Sequence, residues 1–210
     1  MKTLISLFDY SGIWSEPYKK AGWDVVRIDI KKGYDIFDFF NKINQVTAED
    51  PSFRVNGILA APPFTHLSSS GAHKWSEKDI KASVYDEVWP MPVYSISDEA
   101  VCFIMVTMLI IERLRPIDFW ALENPVGRLN RLIPELQEYG PWYFHPCDYG
   151  DPYTKKTGLW GVFNKPIKNP VLPLFGSIIQ NKYSSTDEKK YGLRSKTPKG
   201  FARAFYEANH

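Results

Sequence analysis

Six short apolar runs, each closed by a turn residue, a carboxylate or a proline and interleaved with stretches of helical periodicity, limit this chain more than any other feature. Residues 2–8, 24–30, Gly57–Ala60, 117–122, 142–145 and 158–163 read as strands. Residues 16–22, 35–45, 97–114, 128–138 and 197–208 read as helices. Alternation of this kind predicts an α/β protein with a mostly parallel sheet covered on both faces. The 35–45 segment places Ile36, Phe37, Phe40 and Ile43 on one face. Ser97 is the expected N-cap of the longest helix, with Asp98 and Glu99 at its positive end and Pro116 beyond it. Thr197 and Pro198 are the expected cap and first turn of the last one. Residues 67–95, with Ser68-Ser69-Ser70-Gly71, show no sustained apolar period and predict a long loop or lid.

A chain of 210 residues suits one hydrophobic core, so residues 1–210 are expected to form a single domain carrying that lid. The 26 basic and 24 acidic side chains nearly cancel, and any face for a charged partner must be local. The longest apolar stretch, 100–111, is shorter than the roughly twenty residues of a membrane span. The apolar run at the amino terminus is too short for a signal peptide. A cytoplasmic protein without a membrane partner is expected, with Cys102 and Cys147 reduced. His66 and His73 match no metal-ligand spacing, and no metal is predicted.

The residues of chemical interest fall at strand ends, where open α/β sheets bind ligands. After the first strand comes Phe8-Asp9-Tyr10-Ser11-Gly12, either an ordinary strand-to-helix turn or a loop that lets backbone approach a ligand. Asp29 closes the second strand, where a carboxylate can accept both hydroxyls of a ribose or simply face solvent. Asp35-Ile36 suits either an adenine, held by its amine and covered on one face, or a helix N-cap. Pro62-Pro63 stiffens the loop after the third strand, and the 117–122 strand delivers Glu123 and Asn124.

In order, these positions resemble the DNA cytosine carbon-5 methyltransferase family. Phe8, Asp9, Ser11 and Gly12 look like its first motif, Asp29-Ile30 its ribose-binding acid and the residue beside it, and Asp35-Ile36 its adenine pair. Pro62, Pro63 and Phe64 stand at its proline-cysteine loop, Glu123-Asn124-Pro125 at its glutamate-asparagine motif, and Asp148-Tyr149-Gly150 with Pro152 at the approach to its basic motif. Thr197-Pro198 and Phe201-Ala202-Arg203-Ala204 resemble its final, cofactor-facing motif. The resemblance implies a Rossmann-like, doubly wound sheet that binds S-adenosylmethionine, acts on a nucleobase in DNA or in a nucleotide, and is similar to short phage homologues.

Two departures matter. The family adds a cysteine thiolate to carbon 6 of cytosine, and the matching position here is Phe64, which cannot attack. Glu123 remains as the acid or hydrogen-bond partner, and Phe64 is left to stack on a base. The basic motif keeps Lys155 and Lys156, which suit phosphate contact or a solvated turn, and the space before Thr197 is too small for a target-recognition domain. Lys189, Lys190, Arg194, Lys196 and Lys199 form a local basic run. Two alternatives therefore stand beside carbon-5 chemistry. One is a catalytically inactive relative that binds cofactor or nucleic acid as a regulatory or decoy subunit. The other is an exocyclic-amine methyltransferase using Ala61-Pro62-Pro63-Phe64, in which Ala61 supplies no acceptor.

Overall fold

The computed structural model describes residues 1–63, 96–177 and 196–210. Its elements are β1 (Thr3–Leu7), α1 (Glu16–Lys20), β2 (Asp24–Ile28), α2 (Ile36–Glu49), β3 (Gly57–Ala60), α3 (Ile96–Leu114), β4 (Phe119–Pro125), α4 (Leu129–Leu132), β5 (Trp142–Phe144), β6 (Thr157–Val162) and α5 (Lys199–Ala208). The sheet runs β2-β1-β3-β4-β6-β5. The first four strands are parallel, as the alternation predicts, whereas β6 and β5 add antiparallel to the β4 edge.

Alternation along the strands divides the core in two. One face carries Ile5, Leu7, Ile58, Ala60, Trp120 and Leu122 against α2 and α3. The other carries Leu4, Leu59, Phe119 and Ala121 against Trp14, Tyr18, Phe201 and Phe205. Phe144 stacks on Phe201 with ring centroids 3.9 Å apart, which fastens β5 to α5. The Tyr18 hydroxyl donates to the Asn209 carbonyl at 3.0 Å, and burial pushes its ionisation well above the usual phenol range.

Several elements differ from the sequence expectations for identifiable reasons. The 128–138 helix is broken: α4 stops at Leu132 and a 3-10 turn follows at Pro134–Tyr139, because Pro134 lacks an N–H and drives Ile133 to an extended φ of −132°. The second strand ends at Ile28, and Asp29 instead caps a 3-10 turn at Ile30–Lys32. Thr197 is not the cap of the last helix. Pro198 holds that position, and the free Gly200 N–H donates to Asp151 Oδ2 at 2.9 Å. Ser97 lies inside α3, which begins at Ile96. β4 continues through Glu123 and Asn124 because Pro125 still pairs with Thr157 of β6. The 67–95 lid, His66, His73 and Lys189, Lys190 and Arg194 lie outside the described residues. Among the described residues no helix is long and apolar enough to cross a membrane.

Candidate functional site

The carboxyl ends of β1, β2, β3 and β4 open onto one cleft of about 530 Å³. Its wall contains eleven of the residues singled out in the sequence: Phe8, Asp9, Ser11, Asp29, Ile30, Asp35, Ile36, Pro62, Pro63, Glu123 and Thr197. Four strand ends and the segment entering α5 thus converge, as the sheet geometry requires.

The loop after β1 is rigidly organised. Phe8 takes φ of 59°, a left-handed conformation worth about 1–2 kcal/mol of strain in a residue with a Cβ. Its N–H donates to the Ile28 carbonyl at 2.7 Å, and its ring meets Phe103 of α3 edge-on at 5.6 Å. The Asp9 carboxylate, expected beside the ligand, is spent within the loop: it accepts from Gly12 N–H at 2.8 Å, Ser15 Oγ at 2.6 Å and Ser6 Oγ at 3.0 Å. Asp9 therefore shapes the loop. Gly12, at φ of 70°, lies behind the cleft wall, and an added Cβ would meet the Arg27 guanidinium.

Asp29 is half-buried; its Oδ1 accepts from Lys31 N–H at 2.9 Å, and Oδ2 makes no hydrogen bond to any described residue. Asp35 caps α2, with Oδ1 accepting from Phe37 N–H at 2.7 Å and Asp38 N–H at 3.3 Å. The N-cap reading of that residue holds, and the capping carboxylate also lines the cleft. Ile36 is buried below it, while Ile30 stands out at the rim, 63% exposed.

At the other end Glu123 and Lys155 form a buried ion pair, Oε1 to Nζ at 3.4 Å, with side chains only 8% and 5% exposed. Lys155, expected to meet phosphate, is thus turned inward: 155 and 157 are buried and 156 is exposed, the period of a strand. Lys156 keeps its ammonium in solvent, 4.5 Å from the Tyr143 ring centroid. Tyr153 joins the cluster, its hydroxyl pushed up to about 12 by burial and by the charges of Asp151 and Glu123, so it remains a neutral donor. Asn124 is fully buried outside the cleft wall, and neither polar atom of its amide finds a hydrogen-bond partner among the described residues. Phe64 lies outside the described residues.

The sequence reading missed Trp14, Lys31, Tyr34 and Phe103, gave Tyr10 no role of its own and placed Lys196 only in the basic run, yet all six are part of the wall. Tyr10 and Tyr34 are more than half exposed, and Lys31 and Lys32 place their ammoniums 5.4 and 5.7 Å from the Tyr10 ring. An aromatic residue within a polar turn was the available signal for the two tyrosines. Cys102 is buried and Cys147 half-buried, and neither lines the cleft.

No protein-family model and no curated protein matches the sequence. Among solved structures the chain is similar to an E. coli prophage protein described as a DNA modification methyltransferase. The identity is 16% and the TM-score 0.52, covering 82% of this chain and 53% of that one. It also superposes, at a TM-score of 0.43 and 16% identity, on a variant of Spodoptera frugiperda DNMT2, over 82% of this chain and 54% of that one. The chain spans about half the length of both. The six-stranded sheet, the helices on its faces and the prophage superposition together define an α/β fold of the S-adenosylmethionine-dependent methyltransferase type, a Rossmann-like doubly wound sheet.

Proposed function

We propose that residues 1–210 form a single-domain, S-adenosylmethionine-dependent methyltransferase acting on a nucleobase in DNA or in a nucleotide. The observation that carries this reading is the convergence of the β1 loop, Asp29, Asp35-Ile36 and Glu123 on one cleft. Asp29 and Glu123 stand at the ends of β2 and β4, three strand spacings or about 14 Å apart, room for an adenosine at one end and a second base at the other. The residues fit the cofactor: Asp29 Oδ2 is open to ribose hydroxyls, Ile30 and Ile36 offer apolar cover for adenine beside the Asp35 carboxylate, and Phe8, Ser11, Pro62 and Thr197 line the remaining wall. When bound, the cofactor supplies an electrophilic methyl group. DNA as substrate class is drawn from the description of the prophage protein, and Lys156 is one exposed cation available for a phosphate, with Lys31 and Lys196 in the cleft wall.

Calorimetric titration with S-adenosylmethionine and S-adenosylhomocysteine tests the site. Asp29→Ala is expected to weaken both about 10- to 100-fold, the loss of hydrogen bonds to a charged acceptor. A wild-type chain that binds neither compound would remove the reading. Phe64 favours a second one, a relative that keeps cofactor or nucleic acid without turnover as a regulatory or decoy subunit. Cofactor binding without transfer to any nucleic acid or nucleotide is its expected signature.

A further inference from the structure

Methylation at carbon 5 of cytosine needs a thiolate, and neither of the chain's two cysteines lines the cleft. An exocyclic amino group needs no such partner. Its nitrogen must be held by acceptors for its N–H groups so that the lone pair points at the methyl donor. Position 61 would be the natural source of an acceptor beside Pro62, yet it is alanine.

The strand register supplies one from next door. Gly57 pairs with Phe119 and the ladder runs to Ala60 opposite Leu122, so Ala61 comes level with Glu123 on the adjacent strand, about 4.8 Å away. Leu59 and Ala121 share one core face, and by alternation Ala61 and Glu123 share it as well; both line the cleft. Glu123 Oε1 is engaged by Lys155, while Oε2 makes no hydrogen bond to any described residue. In this ion pair Glu123 is a carboxylate, an acceptor-only group.

Resting on the cofactor reading above, we infer that the cleft takes a nucleobase by its exocyclic amino group, with Glu123 replacing the acceptor that Ala61 lacks, and that this nitrogen receives the methyl. The nitrogen lone pair forms the new N–CH3 bond. The S–CH3 bond of the sulfonium donor breaks with its electron pair remaining on sulfur, giving the thioether. One amine proton passes to Glu123 Oε2 and then to solvent. Lys155 is a positioning residue that fixes the carboxylate.

The test pairs binding with product identity. Single-stranded oligonucleotides carrying adenine and cytosine, or the amine-free analogues purine and 2-pyrimidinone, are titrated into the full chain saturated with S-adenosylhomocysteine. The amine-bearing strands are expected to bind about tenfold tighter, and Glu123→Gln is expected to erase the difference. With S-adenosylmethionine, digestion and mass spectrometry should show an N-methylated adenine or cytosine. Glu123→Gln should lower its yield about 100-fold, with S-adenosylhomocysteine affinity within about twofold of wild type, and Ala61→Asp in that background should restore part of it. 5-Methylcytosine as the product, equal affinity for the amine-free strands, or no transfer by a chain that binds the cofactor would each overturn the inference and leave the cofactor site standing. Absence of cofactor binding would instead remove the underlying reading together with this one.

Discussion

Lys155→Met is expected to lower the unfolding free energy by about 3–5 kcal/mol. Glu123 and Lys155 are each more than nine-tenths buried, and removal of the ammonium leaves a carboxylate with little solvent and no counter-charge among the described residues. The pair itself gains little over an apolar contact of the same size, because both charges were taken out of water to make it. Glu123→Leu/Lys155→Met is therefore expected to recover most of the loss and to return within about 1 kcal/mol of the parent. Urea denaturation of the parent, both single variants and the double variant measures the coupling directly. A Lys155→Met variant with an unchanged midpoint would mean that the ion pair does not form in solution. The double variant would be stable and, on the amine reading, inactive, which separates the fold from the chemistry.

Gly161→Ala is the second large effect. Gly161 lies in β6 opposite Ala121, with φ of 148°, and a Cβ there would run into the carbonyl of Trp120 on the central strand β4. That neighbour is backbone held in a ladder on both sides, so it cannot turn away as a side-chain tip would. Strained φ and forced separation of two strands are expected to cost about 3–5 kcal/mol. The damage would spread to Glu123, two residues beyond Ala121 on β4, and weaken the proposed Asp29-dependent cofactor binding far less, since β2 lies at the opposite edge. Thermal unfolding alongside calorimetric titration distinguishes the two. Equal stability of parent and variant would show that the β4–β6 spacing relaxes freely.

The strands were legible because each is an apolar run stopped by a residue with a physical reason to stop it, as at Gly57–Ala60 before Pro62. The β1 and β2 side of the cleft was legible for a related reason: Phe8, Asp29 and Asp35 follow strand ends by a few residues, so local order places them. The β4 side was not. Lys155 and Lys156 are adjacent and identical, and only the pairing of β6 with β4 decides which is buried against Glu123. Phe103 meets Phe8 because α3 crosses that end of the sheet, a tertiary fact with no local signature. The break at Pro134 could have been read, since a proline inside a helical pattern stops it one residue earlier. The antiparallel arrival of β6 carries no such marker.

The order β2-β1-β3-β4 also bears on how quickly the chain reaches this state. The bonds that tie the beginnings of these strands, Thr3 to Asn56 and Asn56 to Asp118, close loops of 53 and 62 residues. Loop entropy must be met before such contacts reward it, which places the chain among slow folders of high contact order. Four-residue β3 is buried only once both neighbours have docked, and until then Ile58 and Leu59 are open to intermolecular association. A cleft framed by all four strand ends is complete only after that step. A ligand held there makes contacts absent from the folding transition state, so it should slow unfolding and leave the refolding rate unchanged.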